Sequence, residues 1–196
     1  MDIYLAKKDE AVQIARIHQE EINQGFLSQL GIKFLAKLYE AMIVSSFAFV
    51  VVAKENNRIV GFISGCYDVG KFYRDFYRKY AVSSFFTLLP KVFKISFLKK
   101  VFEILKYPKN KQKDLPKAEL LTIALLKDFR ARGIAQELFK RFLSEMRDRE
   151  IDIFKVVVGE SLPRAIGFYE KVGFKLHSFV SIHKGEKSRI YTYNLS

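Results

Sequence analysis

The sequence predicts a single α/β (α+β) domain. Three observations carry that prediction. Apolar, β-branched runs alternate with segments whose apolar residues recur every three to four positions, so strands and amphipathic helices are interleaved. Phe47 to Ala53 and Ile59 to Tyr67 flank the polar stretch Lys54-Glu55-Asn56-Asn57-Arg58, which reads as a hairpin. The run Leu120 to Leu126 passes through a charged, small-residue turn into a helix with Leu138, Phe142 and Met146 at helical spacing.

Composition narrows the class. At 196 residues the chain suits one domain with a full core, and 49% hydrophobic residues make it globular rather than disordered. One cysteine, Cys66, excludes an intrachain disulfide and fits a reducing cytoplasm. Met1-Asp2-Ile3-Tyr4 shows no basic region followed by an apolar one, so no signal peptide is expected. No uncharged apolar run reaches the roughly 18 residues of a membrane span, so none is expected. The formal charge of +13 favours acidic ligands, nucleic acid or an anionic membrane surface, without choosing among them.

In chain order, Tyr4-Leu5-Ala6 reads as a short strand. Asp9 is placed to cap a helix from about Glu10 to Glu21, with Val12, Ile14, Ala15, Ile17 and Ile22 as apolar positions. Asn23 to Ser28 is a glycine-bearing break. A helix from about Ser28 to Ser45 follows, with Leu30, Phe34, Leu38 and Met42 at helical spacing. The hairpin comes next, and Gly61 within it marks a bulge or a close approach. Cys66 reads as a small buried thiol rather than a nucleophile, because no histidine lies near it in sequence.

Residues 71–117 carry thirteen lysines and arginines against three acids, most of the charge of the whole chain. Phe72, Phe76 and Tyr80 are spaced by four, as are Phe93, Phe97 and Val101. The segment from about 70 to 116 therefore reads as a basic, amphipathic helical insertion between the third and fourth strands, with Lys109 to Lys117 as a polar linker. It packs on the domain, caps a substrate site, or presents a basic aromatic surface to lipid, an acidic carrier protein or nucleic acid.

The turn after Leu126 carries chemistry. A helix start presents unpaired backbone N–H groups and a partial positive charge. Gly133 and Ala135 let an anion approach them closely, and Arg130 and Arg132 add charge beside them, so residues Arg130, Ala131, Arg132, Gly133, Ile134 and Ala135 form a phosphate cradle. It lacks the GxGxxG of a dinucleotide fold and the Lys-Ser/Thr ending of a P-loop. Ile153 to Val158 is a central strand, and Pro163 opens the next helix. Phe174 to Leu176 begins a sixth strand that Ser178 to His183 extends. Ser188 to Leu195 alternates as a last strand, which completes the sheet or pairs across a homodimer.

Arg130-x-x-Gly133-x-Ala135 after an apolar strand resembles the acyl-CoA signature of the GNAT superfamily of N-acetyltransferases, written Gln/Arg-x-x-Gly-x-Gly/Ala. Ala165-Ile166-Gly167-Phe168-Tyr169-Glu170-Lys171-Val172-Gly173-Phe174 is similar to the family's later motif, a helix with a tyrosine that closes on Gly-Phe. The resemblance covers about residues 1–70 and 116–196. It implies a GNAT-type domain with a central mixed, mostly antiparallel sheet of six to seven strands flanked by helices. It also implies acetyl-CoA as co-substrate, a primary amine as acceptor, no metal, and direct attack in a ternary complex.

Carried over residue by residue, the resemblance gives Ile123, Ala124 and Leu125 the pairing with pantetheine, on a fourth strand that splays from the fifth. Leu125 N–H becomes a donor to the tetrahedral oxygen. Tyr169 becomes the proton donor to the departing thiolate, or else a packing anchor. Glu119 is the best-placed base, with Glu20 and Glu21 as alternatives. The turn between the first two helices lines the acceptor site, so His18, Glu20, Glu21 and Phe26 are candidate contacts. Leu162 stands where the family often has asparagine, and Ser161 is the nearby substitute. His177 and His183 read as structural or surface residues.

The sequence therefore favours a cytoplasmic N-acetyltransferase, with an amino or nucleotide sugar as first acceptor. The alternative is a CoA-fold regulatory or binding module whose basic insert binds nucleic acid or an anionic membrane. A longer acyl donor, or an acyl carrier protein, is a third reading.

Overall fold

The computed structural model describes residues 1–22, 26–76, 78–79, 115–183 and 186–195. Seven strands form one sheet: β1 (Asp2–Leu5), β2 (Ala48–Glu55), β3 (Arg58–Cys66), β4 (Glu119–Leu125), β5 (Ile153–Gly159), β6 (Lys175–His183) and β7 (Glu186–Asn194), in the order β1-β2-β3-β4-β5-β7-β6. Every pairing is antiparallel except β4 with β5, which is parallel. The expected mixed, mostly antiparallel sheet is present. The last strand lies inside it, between β5 and β6.

Helices cover both faces. On one face, α1 (Ala11–Glu21) and α3 (Ile32–Ile43) bury Ile14, Ile17, Leu35 and Leu38 against Val50, Val52, Phe62 and Ala124. On the other, α4 (Ile134–Arg147) and α5 (Pro163–Lys171) bury Leu138, Phe142, Ile166 and Tyr169 against Val51, Ile63, Leu120, Phe154 and Val156. Alternate residues of the central strands serve opposite cores, as a period of two requires.

Local chemistry sets the element ends. The predicted helix from Ser28 is in fact two, α2 (Phe26–Gln29) and α3, because Gly31 at φ 87° leaves the helical region. Asp9 does not cap α1. A 3-10 turn at Lys8–Glu10 precedes that helix, and the Glu10 carboxylate accepts the Lys7 N–H at 2.8 Å and the Tyr4 hydroxyl at 2.6 Å. In the hairpin, Asn56 and Asn57 both adopt positive φ (49° and 61°), the conformation of a two-residue turn matched to strand twist. Register shifts beside Gly61, and a Cβ there would lie 2.1 Å from Leu125 Cδ2, so the bulge and the close approach coincide.

The insertion begins as a helix over residues 69–76, where Phe72 and Phe76 are buried in the α1/α3 core and Phe76 meets Phe34 edge-on. The rest of the predicted insertion, including the stripe at Phe93 and Phe97 and the linker from Lys109, lies outside the described residues, apart from 78–79 and 115–117. The predicted turn at Lys184-Gly185 lies outside them too. Among the described residues no helix is long and apolar enough to cross a membrane.

Candidate active site

Strands β4 and β5 pair at two positions only, Glu119 with Lys155 and Leu120 with Val156. Beyond them the strands part. On its other edge β4 stays paired with β3 as far as Leu125, with a bulge at Leu121 where the register slips between Ser64 and Gly65. From Val157 onward β5 pairs with β7 alone. The β5-facing edge of residues 121–125 is therefore an open row of backbone groups among the described residues. Such an edge takes an extended, hydrogen-bonding ligand as it would take another strand. Ile123, Ala124 and Leu125 lie on it.

The open edge runs into an anion cradle. After Leu126, a 3-10 turn over Lys127–Phe129 leads to Ala131 at φ 60° and Gly133 at φ 78°, and Gly133 is the N-cap of α4. Among the described residues, the N–H groups of Ala131, Arg132, Gly133, Ile134 and Ala135 have no acceptor. Left-handed residues turn successive N–H groups into one concavity, and the helix dipole adds to it. Among the described residues nothing lies within 4 Å of where a Gly133 Cβ would stand, so they leave the space over the cradle open. Arg132 lies over the Phe129 ring at 5.0 Å.

Arg130 does something else. Its Nε donates to the Leu125 carbonyl at 3.2 Å, and its Nη2 donates to Glu21 Oε2. The Lys127 N–H donates to Glu21 Oε1 at 3.2 Å. Glu21 thus ties the end of α1 to both sides of the turn.

Glu119 and Tyr169 lie on opposite faces of the sheet. Glu119 pairs with Cys66, which belongs to the α1/α3 core, whereas Tyr169 belongs to the α4/α5 core. The gap between β4 and β5 joins the two faces. Glu119 stands two residues before the bulge, at the closed end of that gap, 3.3 Å from Lys155 Nζ, which also donates to the Pro116 carbonyl at 2.5 Å. Burial raises the Glu119 pKa, and Lys155 opposes the rise. Tyr169 is buried against Phe168 and Phe174, and its hydroxyl makes no hydrogen bond among the described residues. Burial holds its pKa above that of an ordinary phenol.

The other sequence candidates fall as follows. Ser161 and Leu162 form the exposed turn after β5, at the open end of the gap, with Pro163 as first residue of α5. Phe26 begins α2, and its side chain lies outside the described residues. His18 is not at the surface. Its Nδ1 meets the Tyr39 hydroxyl at 2.5 Å, its ring stacks on Phe62, and its Nε2 is buried without a partner among the described residues. Burial lowers its pKa to about 4. Burial raises the Tyr39 phenol pKa, and Thr122, on the open stretch of β4, opposes the rise.

Cys66 donates its S–H to the Phe47 carbonyl at 3.1 Å, and burial pushes the thiol up to about 12, which suppresses the nucleophilic thiolate. His177 is exposed beside Ser178, and the side chain of His183 lies outside the described residues. Among the described residues no cluster of histidine, cysteine and acids could hold a metal. Sequence reasoning missed Lys155 and Thr122. Both were visible as polar interruptions of apolar strands, Lys155 within Ile153–Val158 and Thr122 within Leu120–Leu126.

Comparison with known proteins agrees with this geometry. The family model of the GNAT acetyltransferases matches residues 14–174, so the chain belongs to the GNAT acetyltransferase family. No curated protein matches it by sequence. Its structure is similar to that of aminoglycoside 6'-acetyltransferase type Ii, with TM-score 0.64, 14% identity, and 100% of this chain and 98% of that chain covered. It is also similar to the ribosomal-protein-S18-alanine N-acetyltransferase from Escherichia coli, with TM-score 0.62, 14% identity, and 100% and 94% covered. The PaiA N-acetyltransferase from Thermoplasma acidophilum, in complex with coenzyme A, gives TM-score 0.61, 14% identity, and 99% of each chain. At these identities the likeness is one of fold.

Proposed function

We propose that the protein transfers an acetyl group from acetyl-CoA to a primary amine by direct attack in a ternary complex. The observation that carries this reading is the continuity of two features. Among the described residues, an open strand edge at 121–125 leads straight into five unpartnered N–H groups at 131–135. A phosphate-bearing ligand with a hydrogen-bonding tail needs both, in that order. The cradle takes the diphosphate, and Ile123, Ala124 and Leu125 pair with pantetheine. Ser161 lies at the mouth of the same gap.

The reaction follows from the two faces. The amine approaches from the α1/α3 side, where Glu119 takes its proton, and the raised pKa makes that carboxylate a stronger base than an ordinary glutamate. A backbone N–H on the open stretch of β4 nearest Glu119 donates to the developing oxyanion. The C–S bond breaks, and the sulfur leaves toward Tyr169, whose buried phenol stays protonated and donates to the thiolate. Glu21 and Phe26 flank the acceptor turn. An amino or nucleotide sugar is the first acceptor to test, because an anionic sugar diphosphate complements the basic segment 71–117. A cytoplasmic site of action fits the single thiol.

Calorimetric titration with acetyl-CoA and CoA tests the donor site. Micromolar binding by the wild type, abolished by Gly133→Glu, supports it, and an amine panel headed by nucleotide amino sugars then finds the acceptor. A folded wild type that binds neither overturns it.

A further inference from the structure

Glu21 is the last residue of α1 and follows Glu20. A carboxylate there opposes the negative end of the helix dipole, so the helix itself gives no reason for it. The side chain is nevertheless 8% exposed, and both oxygens are used. Oε1 accepts the Lys127 N–H, the first residue of the turn that builds the cradle. Oε2 accepts Arg130, whose Nε holds the Leu125 carbonyl at the end of β4. The Arg130 side chain is 40% exposed. It is stretched along the base of the turn, spent on one carboxylate and one carbonyl, rather than reaching over the N–H groups.

We infer that Glu21 is a positioning residue that, through Arg130 and the Lys127 N–H, holds the anion cradle in its binding shape and couples it mechanically to the end of α1. The inference rests on the donor-site reading above and assigns Glu21 a different task from acceptor contact. Arg130 acts here as a fork that fixes geometry, not as a free charge for phosphate. The two roles predict opposite signs. If Arg130 served as a free charge, removing Glu21 would release it and remove a nearby anion, so CoA would bind more tightly. If Glu21 holds the cradle, removing its charge loosens the turn and CoA binds less tightly.

The test is calorimetry with CoA on wild type, Glu21→Gln and Arg130→Lys, with amide hydrogen exchange on the first two. Lysine keeps the charge and loses the fork, so it separates the roles even where Glu21→Gln folds poorly. Each variant is expected to weaken CoA binding about tenfold, the scale of a lost charge-assisted hydrogen bond. In the wild type, CoA slows exchange at residues 131–137 and also at residues 17–22. In Glu21→Gln the first protection remains and the second is lost. Equal or tighter binding by Glu21→Gln, wild-type binding by Arg130→Lys, or persistent protection of 17–22 in Glu21→Gln overturns the inference alone. A wild type that does not bind CoA overturns the donor-site reading and this inference with it.

Discussion

Glu119 and Lys155 face each other on the last rungs that β4 and β5 share, 3.3 Å apart, immediately before the strands separate. Lysine there offsets part of the cost of burying a carboxylate beside the gap. Because burial still raises the Glu119 pKa, the folded state holds its proton more tightly than the unfolded chain does. The stability from this group is thus fully present below the ordinary glutamate range and is lost as pH rises through the folded pKa. Glu119→Gln should remove that dependence, so the wild type loses stability relative to the variant as pH climbs from about 4.3. Chemical denaturation across pH 3–9 checks the sign. On activity, the variant should lower kcat by about a hundredfold or more, with the acid limb of the profile abolished.

Tyr169 separates chemistry from packing. The Tyr169 side chain is buried and its hydroxyl makes no hydrogen bond among the described residues, so Tyr169→Phe removes a polar group without breaking a bond. Stability should change by less than about 1 kcal/mol. The rate of transfer should fall by roughly a hundredfold, in kcat rather than in the KM for acetyl-CoA. A loss of melting temperature together with unchanged kcat would assign the phenol to packing.

His18 makes the acid side of the stability curve steep. Its folded pKa, about 4, lies below the 6.5 of an ordinary histidine, and burial between Tyr39 and Phe62 is the cause. The folded state binds fewer protons, so stability present above pH 6.5 is lost as pH falls toward 4, by up to roughly 3 kcal/mol. His18→Gln retains a hydrogen-bonding side chain for Tyr39 without this titration. Denaturation curves between pH 4 and 7 should flatten in that variant, and an unchanged slope would locate the acid sensitivity elsewhere.

Gly65 is a packing constraint rather than a hinge. A Cβ there would lie 2.5 Å from the Phe142 ring and 2.9 Å from that of Phe49. Gly65→Ala should cost about 1–3 kcal/mol through overpacking. Combining it with Phe142→Leu should cost less than the two changes added, because both act on the same space. Thermal melts of the three variants give the answer.

Much of the architecture was legible because it is written locally. The apolar, β-branched run Phe47 to Ala53, the spacing of Leu138, Phe142 and Met146, and the polar turn at Asn56-Asn57 each need only their own neighbours. Gly31 was harder, since a glycine inside an apolar pattern breaks a helix only when its φ turns positive, and packing of α3 decides that. The cradle was legible in part. Arg130 to Ala135 announced an anion site, but the sequence suggested that Arg130 adds charge to it. Glu21 lies 109 positions away, and no local rule pairs the two.

The sequence by itself determined the strands, the helices and the small-residue turn that ends on Gly133. Periodicity, turn chemistry and the missing Cβ act within a few residues. Tertiary structure alone decided where β4 and β5 part, after Leu120, that β7 slots between β5 and β6, and that Glu119 and Tyr169 stand on opposite sides of the gap. These are consequences of how strands distant in sequence share hydrogen bonds. One bulge at Leu121 and one strand order direct backbone pairing away from β4, and that leaves the open edge on which the proposed chemistry rests.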